Sequence, residues 1–310
     1  MEFDGQVIAA FGRHLLLKVA DGRELNARPF GRQLAVVCGD RVRCRLDAHH
    51  DEAHVLSIEK RASCLYRSNA RGEAEPVVAN LTLLLVALAP LPQPDFFVVD
   101  RYLCAASSAG LDTRIIVNKC ELEVEPAVRA ELQAYARAGF ELIECSARSE
   151  LGIAALRSAC GGAVAALVGQ SGVGKSSLVR RLVPQADIAT GELVRATDGR
   201  HTTTTSRLYE LAGGGRLIDS PGVRDFAPAL AALEPRSLGF IEIAQLAPQC
   251  RFSDCRHMRE PDCAVRAALE SGAIHARRYE SYRRLRRMTE DLAEPRHPRG
   301  GGSAGRRRGG

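Results

Sequence analysis

Four groups of residues in this chain have types and spacings that can do chemistry. The first is Gly169, Gln170, Ser171, Gly172, Val173, Gly174, Lys175 and Ser176, which fits G-x-x-x-x-G-K-[ST]. Glycines let the backbone wrap a phosphate, so the N–H groups between Ser171 and Ser176 can point inward. Lys175 brings a positive charge to β and γ phosphates, and the Ser176 hydroxyl suits Mg²⁺. Ser177 completes this nucleotide-binding set. The second group is Asp219-Ser-Pro-Gly222, a D-x-x-G segment 43 residues after Ser176. Asp219 can reach Mg²⁺ through water, and the Gly222 N–H can meet a γ-phosphate. The intervening run Gly199-Arg-His-Thr-Thr-Thr-Thr-Ser206 offers hydroxyls to the same ion, with Thr203 and Thr204 as candidates. The third group is Asn118-Lys119-Cys120-Glu121, the guanine-reading pattern N-K-x-D with Glu in the carboxylate position. That carboxylate accepts from guanine N1–H and the exocyclic amine, whereas adenine presents an acceptor at N1 and is repelled. Cys145-Ser146-Ala147 is a candidate second base-supporting loop, contributing Ser146 and Ala147. The fourth group is Cys250, Cys255, His257 and Cys263, three thiols and an imidazole within 14 residues. This set suits one tetrahedral, structural Zn²⁺ with all four positions filled.

These groups need elements to hold them. AVAALVG reads as a buried strand running straight into the glycine-rich turn, and SSLVRRLV as the helix after it. LTLLLVALAP, RIIVNK, ELIECSA and RLIDSPG read as further strands, and residues 125–138 as a helix. Alternating strands and helices over 77–228 predict an α/β domain with a mainly parallel sheet. Residues 1–65 contain five short strands bounded by Gly, Pro or Asp, including an Asp21-Gly22 turn. An OB-fold β-barrel is the natural architecture, with an SH3-like barrel as the second one the pattern allows. Boundaries follow as 1–65 for the barrel, 66–228 for the nucleotide-binding domain and 229–294 for the zinc-binding domain. The last of these ends in a helix from about Ala273 to Leu292. Residues 295–310 are Gly, Arg and Pro with nothing to bury and read as a disordered tail.

Composition narrows the function classes. Hydrophobic residues make up 45% and charged residues 26%, which excludes wholesale disorder. The longest apolar run, Leu81 to Leu91, is interrupted by Thr82 and Pro90 and is too short to span a membrane. Ten cysteines and an acidic MEFDGQ start predict reduced thiols in a cytoplasmic protein. The net charge of +6 is concentrated after residue 274, where eleven Arg face four acidic residues. A polyanion is the expected partner there. In RRYESYRRLRRM the helical spacing puts Arg277, Arg284 and Arg287 near one stripe, with Tyr279 and Tyr282 on other faces.

The order of motifs is unusual, because Asn118 and Ser146 precede Gly169. The domain therefore reads as a circularly permuted P-loop GTPase, in which the Asp219–Gly222 segment leads directly into the Cys/His domain. Together with GQSGVGKSSL, GRHTTTTS and CRFSDCRHMREPDC, this organisation resembles the ribosome-small-subunit-dependent GTPase family, RsgA (YjeQ), over about residues 1–292. The resemblance implies GTP hydrolysis to GDP in late maturation of the small (30S) ribosomal subunit, stimulated by the ribosome. It also implies contacts from the barrel and the zinc-binding domain to rRNA, and the chain is expected to be a monomer. Two departures stand out: Glu121 replaces the usual Asp, and Ala79-Asn80-Leu81-Thr82-Leu83 keeps only the start of A-N-x-D-Q. Val223 stands where many regulatory GTPases carry a water-orienting Gln, so slow intrinsic hydrolysis is expected. His201 is the best alternative to orient water, and the resemblance points to it as well, with Lys175 stabilising the developing charge. A divergent RNA-binding assembly factor that uses GTP and GDP as a switch with little turnover is the second reading. A P-loop kinase or ATPase is disfavoured, because the N-K-x-E segment would serve no purpose in an ATP site.

Overall fold

The computed structural model describes residues 2–31, 34–47, 52–69, 71–184, 206–224 and 226–293. Five strands come first: β1 (Glu2–Phe11), β2 (His14–Val19), β3 (Glu24–Pro29), β4 (Arg41–Asp47) and β5 (Glu52–Ile58). The first three form an antiparallel meander, and β4 returns to pair with β1. The spatial order β4-β1-β2-β3 is a Greek key, and β5 lies between β3 and β4, parallel to β3. This closes a five-stranded barrel of the OB type, the first of the two architectures the sequence allowed. Alternate side chains point inward, among them Val7, Leu15, Leu17, Val42, Cys44 and Val55.

A hairpin of β6 (Cys64–Ser68) and β7 (Ala74–Ala79) leads to the α/β domain. Its elements are β8 (Leu83–Leu88), α1 (Phe96–Ser108), β9 (Asp112–Val117), α2 (Pro126–Arg137), β10 (Glu141–Glu144), α3 (Ile153–Ala159), β11 (Val164–Gly169), α4 (Lys175–Leu182), β12 (Ser206–Leu211), β13 (Gly215–Asp219) and α5 (Pro221–Arg224). The strand order is β10-β9-β8-β11-β13-β12, parallel except for β12 against β13. Strands β8 and β11 are buried along their whole length, because helices cover both faces of the sheet. One face packs on α1 and α2 through residues such as Val99, Tyr102 and Leu132. The other packs on α3 and α4 through Leu156 and Leu178. The phosphate-loop strand β11 is therefore central, flanked by β8 and β13, with β9 and β10, which lead to Asn118 and Ser146, beyond β8. That is the spatial arrangement of a nucleotide-binding sheet whose chain ends have been moved.

The barrel and this sheet are one hydrogen-bonded surface. A register shift between Val7 and Ala9 bends β1 away from β4, and Ala9 and Ala10 then pair with Arg207 and Ser206 of β12.

The C-terminal unit contains α6 (Ile241–Leu246), the Cys/His loop, α7 (Ala264–Glu270) and α8 (Ala276–Ala293) around a small core with Phe240, Tyr282 and Leu285. Helix α8 does not present the expected stripe of three arginines. Its buried seam runs through Tyr279, Tyr282 and Leu285, and this rotates Arg277 inward. Arg277 pairs with Asp100 of α1 and Glu131 of α2, while Arg284 and Arg287 stay exposed. The cause lies in α1: Asp100 has no solvent exposure, and a buried carboxylate requires cations. Among the described residues, no helix is long and apolar enough to cross a membrane.

Candidate functional site

The phosphate loop connects β11 to α4. Gly169 and Gly174 have φ of +145° and +94°, a region side chains rarely adopt; Gly169 lies against strand β8 and Gly174 against Asn118. A Cβ on Gly169 would sit 2.1 Å from the Ala87 carbonyl, and one on Gly174 would sit 2.3 Å from Asn118 Nδ2. Lys175 opens α4, is buried, and donates from Nζ to the Gly169 and Gln170 carbonyls, each at 2.8 Å. The Gln170 side chain reaches the other way, its Oε1 accepting from the Asp95 N–H at 2.9 Å.

Asn118 and Lys119 leave β9 toward this loop. Asn118 is buried; its Nδ2 donates to the Val173 carbonyl at 2.8 Å, and its Oδ1 accepts from the Ala147 N–H at 3.1 Å. One side chain thus ties the base-reading loop, the phosphate loop and the Ser146 loop together. Lys119 lies across the phosphate loop, and its Nζ donates to the Leu91 and Gly172 carbonyls, each at 2.7 Å. Glu121 is exposed. A hydrogen bond with the buried Ser146 side chain, followed by one from its own backbone N–H, holds its carboxyl below the usual carboxylate range. It stays ionised and able to accept hydrogen bonds.

Asp219 ends β13, and Gly222 lies in α5. Arg224, in the same turn, donates from Nε to Asp219 Oδ1 at 2.6 Å and from Nη2 to Asp219 Oδ2. Its Nη1 donates to Ser176 Oγ at 2.7 Å. A carboxylate and a hydroxyl that converge on one positive charge are a hard-oxygen donor set, and these residues fit Mg²⁺. His201, Thr203 and Thr204 lie outside the described residues. Val223 is buried in the sheet core, so this position packs and does not face water. Sequence reasoning missed Arg224. Its signal was a cation five residues beyond Asp219, brought back only once the short helix forms.

The four cluster residues come together as expected, with their ligand atoms all within 4.8 Å of one another. Cys250 Sγ and Cys263 Sγ each lie 3.5 Å from His257 Nδ1 and 3.9 Å from each other. Tetrahedral zinc with ordinary bond lengths requires edges of about 3.5 Å for S···N and about 3.8 Å for S···S, so the cluster fits that ion. Burial lowers the His257 pKa and pushes the Cys255 thiol up to about 12. The imidazole is thus neutral, as a ligand must be, while the thiolate needs a bound cation to exist at neutral pH. The Tyr279 hydroxyl donates to the His257 carbonyl at 2.6 Å, and the Tyr282 hydroxyl to the Arg256 carbonyl at 2.7 Å. Helix α8 therefore braces the cluster.

Comparison with known proteins agrees with this geometry. Residues 58–228 match the family model described as RsgA GTPase. A protein of Azotobacter vinelandii described as small ribosomal subunit biogenesis GTPase RsgA is 42% identical over 293 residues, covering 92% of this chain and 85% of its own. The protein of that description from Pseudomonas aeruginosa is 42% identical over 288 residues with the same coverage. Among solved structures, YjeQ from Thermotoga maritima superposes with a TM-score of 0.71 at 25% identity, over 95% of this chain and all of that one. YloQ, described as a circularly permuted GTPase, gives 0.69 at 21% identity over 96% of this chain and 98% of that one, a likeness of fold.

Proposed function

The chain belongs to the RsgA GTPase family, and from that premise we propose that it hydrolyses GTP on the small ribosomal subunit, late in that subunit's maturation. Asn118 carries the reading. It makes the base reader and the phosphate loop one rigid unit, so the distance between the guanine and phosphate ends of the ligand is set by the protein.

Each residue then has a role. Glu121 accepts from the guanine edge, with Ser146 and Ala147 supporting that loop. The N–H groups of the phosphate loop and Lys175 hold the phosphates and stabilise charge that develops on them. Mg²⁺, when bound, neutralises the β and γ oxygens; Ser176 would hold it, with Asp219 through water and Thr203 or Thr204 as a further hydroxyl. Gly222 offers its N–H to the γ-phosphate. Val223 cannot orient water, and we assign that role to His201. Hydrolysis is therefore slow alone and depends on the partner. Zn²⁺ occupies the Cys250, Cys255, His257 and Cys263 cluster as a structural ion. We assign 1–65, 66–228 and 229–294 as barrel, GTPase and zinc-binding domains of a cytoplasmic monomer, with barrel and zinc domain facing rRNA.

The test is phosphate release from GTP, with and without purified small subunits, at fixed Mg²⁺ and salt. Small subunits should raise the rate at least tenfold while large subunits do not, and His201→Ala should remove about 10²-fold or more of the stimulated rate. Tight GTP binding with no stimulation would instead make this a nucleotide-held assembly factor.

A further inference from the structure

Arg224 is hydrogen-bonded to both Asp219 and Ser176, the two described residues assigned to Mg²⁺. Its guanidinium forks onto the two oxygens of Asp219, and a third N–H reaches the Ser176 hydroxyl. The pair is sheltered, with side-chain exposures of 20% for Arg224 and 13% for Asp219. Only arginine has the planar fork for such a bridge. A guanidinium hydrogen-bonded to Ser176 Oγ stands within a few ångströms of any ion that oxygen coordinates, and two cations so close repel. The surrounding contacts make the bridge more than a local ion pair. Arg224 shares a single helical turn with Gly222, to which the nucleotide reading assigns the γ-phosphate contact. The residue before that helix, Ser220, accepts from the Ser206 hydroxyl at 2.7 Å, where β12 begins after the Thr-rich run. The Arg224 backbone N–H donates to the Ser220 carbonyl at 2.9 Å, so Arg224 is connected through Ser220 to the start of β12.

We propose that Arg224 is a tethered cation that competes with Mg²⁺ for Asp219 and Ser176, so that arrival of the ion and release of Arg224 are one event. The proposal rests on the nucleotide reading of the site. It makes the gain in nucleotide affinity from Mg²⁺ small in the wild type, because part of that gain is consumed in breaking the bridge. A purely structural ion pair would change stability and leave that gain alone.

The experiment measures GDP affinity of the full chain by fluorescence of a labelled GDP. Wild type, Arg224→Ala and Arg224→Lys are compared in buffer with Mg²⁺ and in magnesium-depleted buffer free of chelator, which leaves the Cys/His cluster undisturbed. The readout is the ratio of the dissociation constants without and with Mg²⁺. In Arg224→Ala this ratio should exceed that of the wild type by about tenfold or more, the worth of one charge-assisted hydrogen bond. Arg224→Lys, which keeps the charge but loses the fork, should fall between them, and it carries the test alone if circular dichroism finds the alanine variant unfolded. Equal ratios in the wild type and the folded variants overturn the proposal while leaving the nucleotide site intact. Failure of the wild type to bind GDP in either buffer overturns the functional reading itself, and this inference with it.

Discussion

At Glu121 one extra methylene separates this chain from the Asp that the guanine pattern normally carries, and the neighbouring Ser146 is the main influence on its carboxyl. The Ser146 contact, ahead of the residue's own backbone N–H and the nearby Arg148 and Lys119 charges, lowers the carboxyl pKa from its ordinary 4.5. A lowered value means that the ionised form persists as pH falls through the usual carboxylate range and is lost only below it. Carbon-13 NMR titration should therefore place the Glu121 midpoint below 4.5 in the wild type and move it upward in Ser146→Ala. The functional counterpart is Glu121→Gln, which replaces one acceptor oxygen by a donor facing the guanine donors. GDP affinity should drop by about 10- to 100-fold, with the preference over ADP shrinking in step. An unchanged preference for GDP over ADP would remove Glu121 from base recognition.

Elements decide how much change the phosphate loop can take at each glycine. Gly172 and Gly174 both have positive φ, but their surroundings differ. A methyl at Gly172 would meet Pro92 Cδ at 3.4 Å, an ordinary contact, whereas one at Gly174 would be driven into Asn118. Gly172→Ala should cost about 1–2 kcal/mol of backbone strain. Gly174→Ala should cost more and also disable GDP binding, because displaced Asn118 takes the base reader with it. Equilibrium denaturation and GDP titration of the two variants check this, and equal effects would refute the coupling through Asn118. The same contrast between local and distant contacts decides what was legible in the sequence. Strand, glycine loop and helix around Gly169, the N-K-x-E turn after β9 and the Cys/His spacing each lie within a few residues and could be read. Barrel closure depends on the β1–β4 and β3–β5 pairings, which periodicity does not encode, so two architectures stayed open. Helix α1 begins Phe96-Phe-Val-Val, a strand-like composition that hides a helix from local pattern. The bridge from Arg224 to Ser176 joins residues 48 apart and appears only on folding.

For the whole molecule, α1 runs between the phosphate loop and the zinc-binding domain. Its N-cap Asp95 donates its N–H to the Gln170 side chain. Little more than a turn later, Asp100 accepts from Arg277 and Arg278 of α8. Arg278 is 1% exposed; burial opposes its charge, and Glu242 and Asp100 hold it protonated. The β1–β12 pairing joins the barrel to the same sheet from the other side. Two of the six arginines of this helix, Arg277 and Arg278, are thus spent on internal ion pairs, and charge density alone overstates what reaches a polyanion. This separates two classes of variant. Arg278→Met leaves Glu242 without its cation and Asp100 with Arg277 alone, and should cost about 3–5 kcal/mol in urea denaturation. It should leave the salt dependence of rRNA binding unchanged. Arg287→Ala, at an exposed position, should shift stability by no more than about 0.5 kcal/mol. It should reduce the slope of log affinity against log salt by about one. A reduced slope in a folded Arg278→Met protein, or an unchanged slope in Arg287→Ala, would show that α8 meets RNA by a different face from the one this packing leaves open.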